Sequence, residues 1–563
     1  MTRAAAALLF LWSLAALAAP ATPPAAACAT AHPIATAACM DTLAAGGNAF
    51  DAAVAASATL AVVEPTGSGF GGGGFWLLHQ ADKSRDVFVD GREAAPEAAS
   101  ANMYLDERGR AEPKKSRDGA LAAAVPGSPA AWALLAAKYG RLSLAQALAP
   151  AIRAARDGFV IDDKLGAAIA NNLPRLSGDA AALLAPSGTP LKSGDTLKQP
   201  DLANTLDLLA KQGPDGIYRG AFAQKWADAV RAAGGIWSAG DLARYRVAER
   251  APLVTQFRDY RIVTAPPPSA GGVALAEIFQ QLEILGWRAD SGARGKHQII
   301  EAMRRTYLDR GQLGDPDFVS MPLRTLTSRD HAARLAASVR KDGPTPSAEL
   351  PSLLSHAHEG GQTTHLSVLD RAGNRVAATL SINLSFGSGA MVGGTGVFLN
   401  DEMDDFAAAL DASNAYGLIG SKANLIAPFK RPLSSMTPTF VEGPRGLLIL
   451  GTPGGSRIIT MVALGVLGWT AGLDAQGVAA LRRFHHQYLP DVVEAEPGAF
   501  TDAESAALAT SGYHVVPAAG STLNLIPGTY GNMQVVSWDT LANRVEAASD
   551  PRAIGSAKVS PSP

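Results

Sequence analysis

Apolar residues recur at helical spacing through most of the first 340 positions and then give way to alternation. Two helices open the pattern: residues 34–45, stopped by Gly46-Gly47-Asn48, and residues 49–62, which end before Glu64-Pro65. Ser68-Gly-Phe-Gly-Gly-Gly-Gly-Phe75 then leads into an extended stretch ending at Val89-Asp90. The spacing predicts further helices over 130–139, 144–155, 202–210, 222–233, 273–285 and 298–307, so that 127–340 reads as mainly helical. Residues 342–361, rich in Pro, Ser, Gly and His, carry no core pattern, which predicts a solvated linker that can be severed without unfolding its neighbours. Beyond the linker the period changes to two. Strands are predicted within 364–382, with a turn at Arg371-Ala-Gly-Asn374, and at 395–400, 437–441, 446–451 and 532–538; helices return at 456–467 and 475–485. The apolar run 458–473 is 16 residues long, short of the roughly 20 that span a bilayer, and reads as a buried helix. Helices gathered in one half and strands in the other fit either separate domains or one α+β unit, and the pattern does not choose between them.

Composition narrows the class of partner. With 563 residues, 47% hydrophobic and only 18% charged, the chain can bury a large core. A formal net charge of -2 argues against nucleic acid or an anionic membrane surface as a generic partner and favours small-molecule substrates. Met1-Thr-Arg3, the apolar residues that follow and the small-residue pattern Ala16-Leu-Ala18 predict a signal peptide over 1–19, a Pro/Ala-rich spacer over 20–28, and export to the periplasm or the medium with no integral membrane span in the mature form. Cys28 and Cys39, the two cysteines, allow one bridge at most and are read as unrelated small core residues. Ala25-Ala-Ala-Cys28 weakly resembles a lipid-acylation site but lacks the usual Leu three residues earlier.

The candidate chemistry centres on Thr363. Gly360-Gly-Gln-Thr-Thr-His365 sets a hydroxyl between a polar segment and a strand. Cutting the bond before Thr363 would place a free α-amine beside its own Oγ. Such an amine has an ordinary pKa of roughly 7.7–8.0, against about 10.4 for lysine, so a neutral base is at hand near pH 7. Taken alone, Thr-Thr-His is also how any strand can begin. Competing chemistries lack their motifs. No Gly-Lys-Ser/Thr follows the glycine run, and Asp401, Glu402, Asp404 and Asp405 lack the spacing of a calcium loop. His485 and His486, adjacent on a predicted helix, diverge by about 100° and make poor joint zinc ligands. Neither His-Glu-x-x-His nor Gly-x-Ser-x-Gly occurs.

Several separated motifs, in order, carry a resemblance. Thr363-Thr-His-Leu-Ser-Val-Leu-Asp370, Leu399-Asn-Asp-Glu-Met-Asp-Asp-Phe406, Arg431-Pro-Leu-Ser-Ser-Met436 and Gly451-Thr-Pro-Gly-Gly-Ser456 resemble the small subunit of the γ-glutamyltransferases. Gly46-Gly-Asn48, Glu64-Pro65, Asp90-Gly-Arg-Glu93, Pro266-Pro-Pro-Ser-Ala-Gly-Gly272 and Leu313-Gly-Asp-Pro-Asp317 resemble the large subunit. The resemblance implies an α+β fold of the N-terminal-nucleophile hydrolase type, a four-layer αββα sandwich. It would be built jointly by a large subunit (29–362) and a small one (363–563) that stay together after self-cleavage between Gln362 and Thr363. It implies a γ-glutamyl ester on Thr363, formed from glutathione or related compounds and passed to water or to amino acid or peptide acceptors, with no metal or organic cofactor. It places Ser381 beside the nucleophile and Gly454 and Gly455 at the oxyanion hole. Arg92, Ser434 and Ser435 fall on the donor's α-carboxylate, Glu402 and Asp405 on its ammonium, and Asn383 on the substrate; Glu402 stands where some members have Gln. Residues 407–429 match a lid loop, with Tyr416 as its covering aromatic, which favours a glutathione-type substrate. A glutaryl or γ-glutamyl amidase or acylase of the same fold, or a processed glutamyl-peptide-binding protein with little turnover, are the alternatives.

Overall fold

The computed structural model describes residues 22–350, 363–408, 421–520 and 524–561; the signal segment, Gln362 and Tyr416 lie outside the described residues. Two antiparallel sheets carry the architecture. The first has seven strands in the order Ser556–Val559, Ala27–Thr30, Thr363–Leu369, Arg375–Ser381, Gly73–Gln80, Arg85–Gly91 and Ala248–Arg250. The second has six: Arg544–Ser549, Gln534–Asp539, Gly446–Gly451, Thr439–Gly443, Tyr260–Thr264 and Leu253–Phe257. Each sheet contains strands from both sides of residue 363, so the two halves share one core and the separate-domain reading falls away.

Strand alternation assigns the layers. Phe75, Leu77, Phe88, Leu369 and Ala377 share one core with Phe440, Ile449 and Val536, which alternation places on the facing side of the second sheet. Their neighbours Trp76, Leu78, Val89, Leu366, Val368 and Ala378 face the opposite way, onto the helices Ala49–Val63, Ser128–Lys138, Leu144–Asp157 and Pro200–Gln212. Helices Gly271–Ile284, Gly292–Asp309 and Ile458–Thr470 pack into the core that contains the second sheet. The result is the expected αββα sandwich. Ala49–Val63 can lie wholly buried because it is built largely of small and apolar residues, seven of the fifteen being alanine, and its start is fixed by a capping box. Asn48 Oδ1 accepts from the amides of Phe50 and Asp51, while the Asp51 carboxylate accepts from the Asn48 amide.

Several local expectations are corrected. The region 127–340 also contains the strands Ala248–Arg250, Leu253–Phe257 and Tyr260–Thr264. Residues 395–400 form no strand: Gly393, Gly394 and Gly396 all take positive φ, and a bridge between Met391 and Phe398 is the pairing present there. The helix expected over 475–485 stops at Ala480, and Phe484–His485 is a strand, so neither His485 nor His486 lies on a helix. The start of the linker is docked rather than solvated, since Thr345 and Ser347 are buried and accept hydrogen bonds from Arg305 and Arg304. The spacer ends inside the first sheet, where Ala27–Thr30 pairs with both Thr363–Leu369 and Ser556–Val559. Cys28 and Cys39 are joined in a disulfide: the chain reverses at Ala31-His32 and lays the helix Pro33–Ala44 on its own strand, bringing the two Cα atoms to 6.5 Å. Cys28 therefore has no free thiol to acylate. Among the described residues no helix is long and apolar enough to cross a membrane.

Candidate active site

Thr363 is the first residue of a strand whose alternation sends Thr364, Leu366 and Val368 toward the helices. Thr363, His365, Ser367 and Leu369 therefore point into the slot between the sheets. The neighbouring Thr364 fixes the strand's start: its hydroxyl donates to Glu64 Oε2 at 2.6 Å, and Lys164 Nζ holds the other oxygen of that carboxylate at 2.6 Å. The Glu64-Pro65 motif thus acts as an anchor for the candidate nucleophile. Ser381 stands directly across the ladder from Thr363 and is buried on the same face.

His365 offers no alternative base. Burial pushes its pKa down to about 3, and its ring nitrogens meet the hydroxyls of Thr379 (2.8 Å) and Ser367 (3.2 Å). It stays neutral and occupied inside the sandwich.

A cavity of about 20 Å³, room for roughly one water, brings together Thr363, Ser381, Arg92, Asp405, Ser434, Ser435 and Gly455 with Arg310, Met436 and Ile458. Sequence reasoning placed all of these except the last three. Arg310 is the notable omission. It follows the helix Gly292–Asp309, is half-buried, and reaches Ser435 Oγ with Nη2 at 3.2 Å. Burial lowers its pKa to about 10, which leaves it charged at neutral pH. Its Nε makes no hydrogen bond, and among the described residues it has no ion-pair partner. The signal in the sequence was a lone arginine at a helix end, a position where basic residues are commonplace.

Arg92, by contrast, is heavily engaged. Nη1 donates to Glu402 Oε2 and Nη2 to Asp405 Oδ2, both at 2.5 Å, Nε donates to the Pro432 carbonyl at 3.3 Å, and Glu93 lies 3.6 Å from Nη1. Burial alone would lower the Arg92 pKa, but the three carboxyl groups outweigh it and hold it above the ordinary value. Burial and the nearby Glu402 push Glu93 well above the carboxylate range. Burial also raises Glu402, to about 7, against the pull of Arg92 and with the help of Asp405, while the nearby Ser381 hydroxyl favours its charged form. Glu402 is fully buried behind Arg92, whereas Asp405 reaches the cavity.

Asn383 does not line the cavity. It sits in the left-handed region (φ 71°), its amide donates to Ser381 Oγ at 2.9 Å, and its Nδ2 donates to the Asp401 carbonyl at 3.0 Å. Each acid of the 401–405 cluster has its own task, which answers the cation reading. Asp401 accepts from the Leu384 amide, Glu402 and Asp405 hold Arg92, and Asp404 accepts from Ser116 Oγ. Gly454 (φ 141°) and Gly455 (φ 57°) turn the chain into a short 3-10 turn that continues as the helix Ile458–Thr470, and Gly455 reaches the cavity. Both take a backbone conformation that glycine adopts without strain; at Gly454 a Cβ would also lie 2.5 Å from Met461 Cε. The position suits stabilisation of a developing oxyanion by backbone N–H groups.

The remaining motifs frame this site. Ser434 exchanges backbone hydrogen bonds with the Pro266–Gly272 turn, through its amide to the Pro268 carbonyl (2.8 Å) and its carbonyl to the Ala270 amide (2.9 Å). Arg250 bridges Asp90 and Asp317, while the Arg431 amide donates to Asp315. The stems of the lid-like loop are pinned by Asn424, whose Nδ2 donates to the Asp405 carbonyl and whose Oδ1 accepts from the Leu433 amide.

Comparison with known proteins agrees with the motif reading. The family model described as Gamma-glutamyltranspeptidase matches residues 35–560. The chain is 42% identical over 479 residues to the glutathione hydrolase proenzyme of Pseudomonas sp. (strain A14), covering 83% of this chain and 82% of that protein. It is 38% identical over 529 residues to the glutathione hydrolase proenzyme of Escherichia coli (strain K12), covering 92% and 88%. The crystal structure of cephalosporin acylase from Bacillus halodurans superposes with a TM-score of 0.81 at 26% identity, covering 98% of this chain and 99% of that one.

Proposed function

Since the chain belongs to the gamma-glutamyltranspeptidase family, we propose that it is a self-processing γ-glutamyltransferase and glutathione hydrolase whose nucleophile is Thr363. The observation that carries this reading is the register of one strand. It turns the Thr363 side chain into a slot it shares with two arginines, an aspartate, three serines and a glycine turn.

Processing begins when Thr363 Oγ attacks the Gln362 carbonyl. The peptide C–N bond breaks, an ester C–O bond forms, and the proton passes to what becomes the Thr363 amine. Water then opens the ester, leaving a Gln362 carboxylate on a large chain and a free amine on the small one. The two chains stay joined because each contributes strands to both sheets. In turnover the neutral amine takes the Oγ proton, Oγ attacks the γ-carbonyl of the donor, and backbone N–H groups at Gly454 and Gly455 stabilise the oxyanion. The leaving amine departs with a proton, and water or an amino acid or peptide acceptor releases the γ-glutamyl group.

Recognition follows from charge. Arg310, which among the described residues has no ion-pair partner, joins Arg92, Ser434 and Ser435 around the α-carboxylate, and Asp405 takes the ammonium. A cavity of about 20 Å³ is too small for a γ-glutamyl group, so substrate entry loosens the Arg92–Asp405 contact. The lid assigned to 407–429 rests on the resemblance, since 409–420 lie outside the described residues, and the leading segment directs export.

The acylase alternative differs at one atom group, since a glutaryl side chain lacks the ammonium that Asp405 would hold. Steady-state kinetics on matched γ-glutamyl and glutaryl anilides test this directly. A γ-glutamyl preference of at least about tenfold, abolished in Asp405→Asn, is expected; equal or better use of the glutaryl compound would overturn the reading.

A further inference from the structure

Away from the active site, three helices bring an unusual set of ligating groups together. Glu277 lies on Gly271–Ile284, Asp309 ends Gly292–Asp309, and His331 lies on Arg329–Ala337. One nitrogen or oxygen from each lies within 4.8 Å of the other two. His331 Nε2 meets Asp309 Oδ2 at 2.6 Å, and Asp309 Oδ1 accepts from Gln312 Nε2 at 2.8 Å, which orients the carboxylate.

Glu277 makes the cluster more than an ion pair. It is 1% exposed. The Thr306 hydroxyl is close enough to favour its charged form slightly, yet neither carboxylate oxygen has a hydrogen bond of ordinary geometry. Burying a carboxyl group without partners costs several kcal/mol unless it is neutralised or bound. Burial and the neighbouring Asp309 both disfavour its charge. A divalent cation removes all three problems, supplying a partner for Glu277, cancelling its repulsion with Asp309, and replacing the proton that His331 shares with Asp309.

We infer that Glu277, Asp309 and His331 form a structural binding site for one divalent transition-metal ion of the zinc class. One imidazole nitrogen with two carboxylates suits zinc-like ions better than calcium or magnesium, which prefer all-oxygen shells. Tetrahedral zinc, with bonds of about 2.0–2.2 Å, needs donors about 3.3–3.5 Å apart. His331 and Asp309 therefore separate by under 1 Å, and Glu277 closes in by no more than about 1.5 Å. The exposed Arg334, whose Nη2 donates to His331 Nδ1 at 3.2 Å, swings away as Nδ1 takes the remaining proton. His331 and Asp309 keep 14% and 12% side-chain exposure, which leaves an entry path and room for water as a fourth ligand. The ion ties three helices together and takes no part in acyl transfer, so the site stands or falls apart from the proposed activity.

The test uses untagged, full-length processed protein, stripped with EDTA and titrated calorimetrically with zinc chloride, with thermal unfolding followed alongside. One equivalent of zinc binding and a midpoint raised by a few degrees are expected. Glu277→Gln and His331→Ala should each weaken binding by about 100-fold or more, while calcium and magnesium chloride give no saturable binding. Absence of stoichiometric zinc binding, undiminished binding in both variants, or saturation by calcium with zinc silent would each overturn the inference. A wild-type protein that ignores zinc while metal-free Glu277→Gln melts higher would identify Glu277 as a buried neutral acid instead.

Discussion

Glu402→Gln perturbs the electrostatics of the active site with almost no change of shape. In the folded chain Glu402 is pushed up to about 7 from an ordinary 4.5, first by burial and then by Asp405, against the pull of Arg92. Between those two values the folded protein holds a proton that the unfolded chain has released. Stability therefore falls as pH rises through the window and levels off above it. The gap, at about 1.4 kcal/mol per pH unit, amounts to about 3 kcal/mol. Glutamine carries no such proton and can still accept from Arg92 Nη1. Urea-unfolding midpoints should be compared for Thr363→Ala and Thr363→Ala/Glu402→Gln, both uncut single chains, from pH 5 to pH 8. The glutamine variant should gain about 2–3 kcal/mol relative to its parent across that range. A difference that stays constant, or that moves toward the parent as pH rises, would refute the account of how Arg92 is shared among its carboxylates.

Arg310→Ala should leave self-cleavage intact on a denaturing gel and lower kcat/KM for γ-glutamyl donors by about 10- to 100-fold, mainly through KM, as expected for losing a hydrogen bond to a charged group worth about 1.5–3 kcal/mol; Arg310→Lys should recover part of the loss. Thr364→Val removes the buried hydroxyl that holds Glu64 at 2.6 Å; it should cost about 1.5–3 kcal/mol in urea unfolding and slow the appearance of the two chains in a time course. Cys28→Ser/Cys39→Ser opens a loop closed over a separation of 11 residues, which should cost about 2–3 kcal/mol in the same unfolding assay without changing kinetics.

The sequence made the hairpin around Thr363 legible because its strands are local, buried and joined by a tight turn. The first helices were equally plain, set off by Gly46-Gly47-Asn48. The segments that escaped depend on distant partners. Leu253–Phe257 is an edge strand with partly exposed positions, and Tyr260–Thr264 is stabilised by pairing with Thr439–Gly443, some 175 residues away. The helix over 475–485 looked continuous by spacing, yet the buried Arg483 pairs with Asp550 and its amide donates to Glu496, interactions that local pattern cannot register. The disulfide went unrecognised for a similar reason: a strand and helix folded back on each other have no signature beyond two cysteines 11 apart. At the site, Arg92, Asp405, Ser434, Ser435 and Gly455, which the motifs singled out, line one cavity, whereas Glu402 and Asn383 stand behind its wall. Arg310 became visible only once the fold placed a helix end beside Ser435.

The most direct test is intact-mass measurement of the purified protein after brief mixing with a γ-glutamyl donor and acid quenching. The account predicts two chains, the smaller beginning at Thr363 and carrying one γ-glutamyl group on that residue, with neither the cut nor the adduct in Thr363→Ala. A single unbroken polypeptide that consumes the donor, or an adduct on any other residue, would contradict it.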